Sequence, residues 1–175
     1  MSLQHPVSLA HLIGQIVLET QEAERLFKLI LPFTDEADPS FAAALQRAKK
    51  LTRTSFGELG KKFAAAGVSN DGFAAHLQEL ADERNRVVHH FAETYGALIA
   101  TGQTAAVSTR LRTLLANIRV LHRMLAGIAL VMLEVMLEGP FAGTDEYRDL
   151  AELCKAYRVR VERHVHIQRE NGPNE

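Results

Sequence analysis

The stretch TAAVSTRLRTLLANIRVLHRMLAGIALVMLEVMLE, Thr104 to Glu138, decides the fold. Within it Leu111, Leu114, Ile118, Leu121, Leu125, Ile128, Met132 and Val135 recur in unbroken steps of three and four. That spacing keeps one side of an α-helix apolar over about seven turns, the seam of a coiled-coil-like packing. Gly102 precedes the run and Gly139-Pro140 ends it. Beyond Leu125 the helix is apolar on nearly every side, through Leu130, Val131, Leu133, Met136 and Leu137. A helix with no wet face must be covered twice over, and a homodimer is the simplest expected cover.

Working outward, the same period recurs. Leu9, Ile13, Ile16, Thr20, Ala23, Phe27 and Ile30 predict a first helix from Ser8 to Leu31, stopped by Pro32. A second, shorter helix is expected to open at Asp38-Pro39 and run through Ala48. Ser55-Phe56-Gly57-Glu58 fits a capping box for a short helix ending near Gly67. A further helix is predicted from about Gly72 to Ala100, and a last one from about Asp145 to Arg163 with Tyr147, Leu150, Cys154, Tyr157 and Val161 on one stripe. No strand-like alternation appears. The expectation is an all-α fold, an antiparallel bundle of four long helices plus one or two short ones. Residues 1–170 would form a single domain and 171–175 a loose tail.

With 175 residues, 47% of them hydrophobic, one sizeable core is expected. The net charge of −1 excludes a histone-like basic field, so any nucleic-acid contact must come from a local patch. A single cysteine, Cys154, excludes an internal disulfide and the multi-cysteine zinc modules. Met1 to Gly14 lacks the pattern of a secretory signal. Leu125 to Leu137, interrupted by Glu134, is short for a membrane span and reads as a buried helix. A cytoplasmic protein without membrane contact, cofactor or metal is expected.

The chemistry-bearing segment is Arg84-Asn85-Arg86-Val87-Val88-His89-His90-Phe91. On its helix the apolar stripe is Phe73, Leu77, Leu80, Val87, Val88, Phe91, Tyr95 and Leu98, and Arg84 falls at its centre, where a leucine would be expected. A buried guanidinium without partners would cost several kcal/mol, so Arg84 must find polar partners or face a cleft. Asn85 and His89, four apart, share a face, whereas His89 lies about 140° around the helix from Arg84. Ala74, Gln78, Ala81, Asn85, His89, Ala92 and Gly96 form a second lane of small or polar side chains, narrow enough for another helix to approach. If that helix belongs to a symmetry mate, the arginine of one chain can complement the histidine of the other.

This octapeptide resembles the RN-x3-H-x-[FY] form of the R-x4-6-H signature of the HEPN superfamily, helical bundles that include many endoribonucleases of toxin and phage-defence systems. The resemblance is tight from Leu80 to Phe91, and elsewhere it amounts to helix count and order. It implies a composite site in a homodimer and metal-independent RNA cleavage that leaves a 2',3'-cyclic phosphate and a 5'-hydroxyl. Under it, His89 would be the general acid or base, Arg84 the bidentate cation at the phosphorane, and Asn85 the residue that orients ring or phosphate. His90 offers a second imidazole, and Phe91 stands where many members carry tyrosine. The alternative is a non-catalytic helical module that dimerises or docks a partner protein, such as a nucleotidyltransferase-type antitoxin, or a nucleotide.

Substrate contacts are expected from Arg86 and His90, which also read as a solvated i, i+4 pair. Arg112, Arg119 and Arg123 share one side of the long helix and could hold RNA phosphates, or form a solvated face. Arg47, Lys49, Lys50 and Arg53 make another basic run. His164 and His166, two apart, point to different sides of a helix and read as a helix-end pair, not as metal ligands. Cys154 reads as a buried thiol, and Ser55 and Ser69 as caps.

Overall fold

A computed structural model of the chain describes residues 8–34, 40–68, 71–139, 142–144, 147–149, 151–152 and 154–159. Among the described residues every regular element is helical, so the fold is all-α.

Helix α1, Leu9–Ile30, starts where Ser8 accepts a hydrogen bond from the His11 amide at 3.2 Å. Pro32 then tightens the chain into a 3-10 turn over Leu31–Phe33. Helix α2, Phe41–Leu51, is capped by Ser40, whose Oγ accepts from the Ala43 amide. The expected opening at Asp38-Pro39 lies outside the described residues. Helix α3, Phe56–Phe63, begins on the predicted capping box, with the Ser55 amide donating to Glu58 Oε2 at 3.4 Å. A π-type turn, Ala64–Val68, carries it on to Gly67, whose φ of 73° suits a residue without a Cβ.

The motif segment departs from expectation. Two helices replace the single one predicted over Gly72 to Ala100: α4, Asp71–His89, and α5, Phe91–Ala100. The break falls at His90, whose φ of −128° and ψ of 29° leave the helical region. Periodicity does not register it, because the apolar stripe continues across the joint. Helix α6, Thr104–Glu138, has the predicted bounds. Residues 147–149, 151–152 and 154–159, inside the last predicted helix, are helical where described.

The chain divides into two compact units, residues 1–122 and 123–175. The first is built on α1, α3 and α4, which pack on one another. Its centre is aromatic: Phe27 lies 5.2 Å from Phe63 and 6.1 Å from Phe56 between ring centroids, and all three are buried. Gly57 and Gly60 let α4 approach α3 closely, since a Cβ on Gly57 would lie 3.4 Å from the Ala81 Cβ and one on Gly60 3.5 Å from that of Leu77. Of the predicted seam of α6, Leu111, Leu114, Ile118 and Leu121 fall in this unit and are buried, as are Val107 and Leu115 beside them.

In the second unit the buried face of α6 is Leu125, Ala126, Ala129, Leu133 and Met136, with Cys154 also buried. The predicted seam residues Ile128 and Met132 are only half-buried there, and Val135 is 62% exposed. A three-four rhythm drifts by about 20° per heptad on a straight helix, and in a segment apolar all round nothing in the sequence chooses the face. By length and composition α6 is also long and apolar enough to cross a membrane, and one third of its most apolar 18-residue stretch is buried within the chain.

Candidate functional site

Arg84, Asn85 and His89 come together at the end of α4. Arg84 Nη1 donates to Asn85 Oδ1 at 3.2 Å and lies 3.3 Å from His89 Nε2. The 140° between arginine and histidine is therefore no barrier: the long arginine arm carries its guanidinium round the helix, and the two groups meet within one chain. A guanidinium only donates, so His89 Nε2 must accept, and the contact selects the neutral ring with its proton on Nδ1.

Arg84 is half-buried. Its Nε is enclosed and has no hydrogen-bond partner, while the Nη1 end reaches the exposed Asn85 and His89. The partners that a buried cation requires are thus a carboxamide and an imidazole, and one donor stays unsatisfied at a cost of roughly 1–3 kcal/mol. The second lane is shared out differently from expectation. Ala81 is buried against Gly57 of the chain's own α3, and Asn85, His89 and Ala92 are exposed.

The expected Arg86–His90 pair is replaced. His90 Nδ1 donates to Glu93 Oε2 at 2.9 Å, in the first turn of α5, where a carboxylate also meets the helix dipole. Arg86 is exposed. Phe91 packs on Tyr95 with ring centroids 5.1 Å apart.

The arginine lane of α6 does not act as one row. Arg119 Nε donates to Glu19 Oε1 at 3.0 Å, and His122 Nδ1 donates to Glu19 Oε2 at 2.9 Å, so a carboxylate of α1 clamps two side chains of α6. The His122 hydrogen bond holds the Glu19 carboxyl down at about 2 from an ordinary 4.5, partial burial opposes this, and Arg119 adds to the lowering. Arg112 is exposed and lines a cavity of about 490 Å³ with Ser8, Leu9, Thr104, Ala105, Ser108 and Thr109. Arg123 is half-buried and opens the second unit. In the other basic run Arg47 Nε donates to the Pro32 carbonyl at 2.7 Å, a structural tie, while Lys49 and Lys50 are exposed.

The Glu19 clamp joins residues 100 and 103 positions apart, which sequence reasoning missed. The available signal was slight: Glu19 borders the stripe through Ile16, Thr20 and Ala23, and Arg119 and His122 border the one through Ile118 and Leu121. Among the described residues no group of three or more His, Cys, Asp or Glu could hold a metal ion. His164 and His166 lie outside them.

No protein-family model, no curated protein and no solved structure matches this chain, so its octapeptide signature and the local geometry of α4 are what any functional assignment rests on.

Proposed function

We propose that the protein is a HEPN-like bundle acting as a metal-independent endoribonuclease of toxin or phage-defence type, with Arg84, Asn85 and His89 as its working groups. The observation that supports this is the 3.3 Å approach of Arg84 Nη1 to His89 Nε2, at an exposed helix end. His89 takes the proton from a ribose 2'-hydroxyl, and that oxygen attacks the adjacent phosphorus. The bond to the 5'-oxygen breaks as the protonated His89 ring gives its proton back, through water, to that oxygen, and a 2',3'-cyclic phosphate and a 5'-hydroxyl result. An arriving phosphate draws the Arg84 guanidinium off Nε2, which frees the ring nitrogen to act as base while the cation meets the developing charge. Asn85 keeps the guanidinium aimed. All three groups come from one chain, so each protomer carries a whole catalytic set.

The alternative is a non-catalytic module that docks a second copy or a partner such as an antitoxin. The exposed apolar residues of α6 favour it. Purified protein incubated with total RNA in excess EDTA separates the two. The nuclease reading expects cyclic-phosphate ends, reduced about 10²- to 10⁴-fold in His89→Ala and retained in His90→Ala. Cleavage unchanged in His89→Ala removes that ring from the mechanism, and no cleavage of any RNA decides for the docking module.

A further inference from the structure

Between Ser40 and Phe63 the chain carries six lysines and arginines, Arg47, Lys49, Lys50, Arg53, Lys61 and Lys62, against one acid, Glu58, although its overall charge is −1. Glu58 is occupied by the Ser55 amide in the capping box. Lys28 of α1 donates to the Thr52 carbonyl at 3.1 Å, which pins the turn between α2 and α3 and adds a further cation beside it. Lys49, Lys50 and Arg53 are exposed, and among the described residues no carboxylate pairs with any of them. Lys49 and Lys50 close α2, where the helix dipole favours a cation by roughly 0.3–1 kcal/mol, but Arg53 lies past the helix, in the turn. Three like charges within five residues repel one another, and a bound polyanion relieves that repulsion.

The packing of α3 on α4 decides what this turn faces. Gly57 stands opposite Ala81 and Gly60 opposite Leu77, and the Phe63 ring lies 6.3 Å from that of Phe73. As α3 advances α4 recedes, so the two helices are antiparallel. The start of α3, with Arg53 four residues before Gly57, therefore lies at the end of α4 that holds Arg84, Asn85 and His89. At 1.5 Å per residue Arg84 and His89 are only about 5 and 12 Å beyond Ala81 along α4. Lys61 and Lys62 lie toward the opposite end of the pair. Up to Arg84, α4 itself is acidic, with Asp71, Glu79, Asp82 and Glu83, so its own helix does not draw a polyanion to the site.

We infer that Lys49, Lys50 and Arg53 form a footing for the RNA backbone, on which the strand is held by its phosphates while one of its linkages lies at Arg84 and His89. The footing takes its ligand from the ribonuclease reading. Lysines on flexible stems suit it, because they meet phosphates as point charges and impose no base sequence.

Fluorescence anisotropy with a labelled single-stranded oligoribonucleotide, methylated at every 2'-oxygen so that it cannot be cut, tests the footing apart from the chemistry. Substituting Lys49→Gln, Lys50→Gln and Arg53→Gln together is expected to weaken binding at least about tenfold at low salt and to lower the slope of log Kd against log salt by about 2, since each phosphate contact on a single strand contributes about 0.7. Each single substitution removes about a third of that slope. Lys61→Gln with Lys62→Gln, at the far end of α3, is expected to keep both affinity and slope. With unmodified RNA the triple variant shows a raised KM. Equal losses in the two sets of variants, or none in the triple one, overturn the footing. Cleavage with an unmoved KM in the triple variant removes the footing and leaves the ribonuclease. A probe bound through the turn, with no RNA ever cut, removes the ribonuclease and leaves the footing. A protein that ignores the probe but binds phosphatidylserine vesicles, and loses them in the triple variant, assigns the turn to an anionic membrane instead.

Discussion

Arg84 is the residue in which stability and chemistry pull apart. Its Nε is buried without a partner, and only the end of the guanidinium does polar work, on Asn85 and His89. A methionine at this position fills the same ridge without the orphan donor. Arg84→Met is therefore expected to gain about 1 kcal/mol in thermal or urea unfolding while RNA cleavage disappears. A destabilised Arg84→Met protein would mean that the cation is a structural necessity. Arg84→Lys keeps the charge but loses the fork that engages two partners at once, so it is expected to fold normally and cleave far more slowly. The placement of Arg84 on an apolar ridge was legible from spacing alone. Its contact with His89 was not, because helical angle locates a Cβ, while the long arm beyond it settles where the charged end goes.

At the scale of elements, local signals governed the starts and stops. Ser8, Ser55, Gly67 and the bounds of α6 are all visible in the chain, because caps and breakers act over three or four residues. Gly67→Ala forces a Cβ into a φ of 73° and is expected to cost about 1 kcal/mol, as is Ser55→Ala through the lost cap, both measured by urea unfolding. The joint at His90 shows the limit of such signals. No glycine or proline marks it, and the stripe of α4 runs on into α5, so period alone predicts one helix. The drift of the buried face of α6 after Leu125 has the same origin: an evenly greasy segment offers no contrast by which to choose a side.

For the whole molecule, the aromatic centre and the Glu19 clamp have separable signatures. Phe27 is fully buried between Phe56 and Phe63, and Phe27→Ala is expected to cost about 3–5 kcal/mol, enough to unfold a domain of ordinary stability under mild conditions. Glu19 titrates at about 2 in the fold against an ordinary 4.5, so the unfolded chain binds its proton first as pH falls. Its contribution is complete above about pH 5 and is lost progressively toward pH 2, on the order of 2–3 kcal/mol. Glu19→Gln should flatten that acid limb in unfolding measured from pH 6 to pH 2. An unchanged slope would mean that the clamp does not discriminate folded from unfolded chain.

The all-helical class, the capping box at Ser55 and the buried stripes of α1, α4 and the first part of α6 follow from the sequence by itself, because hydrophobic period and capping chemistry are properties of neighbours along the chain. Which face of α6 was buried, the meeting of Arg84 with His89, the break at His90 and the ion pairs of Glu19 with Arg119 and His122 were decided only in three dimensions. Each of these depends on side chains from different turns or different helices competing for the same volume and the same charge, and no local pattern records the outcome of that competition.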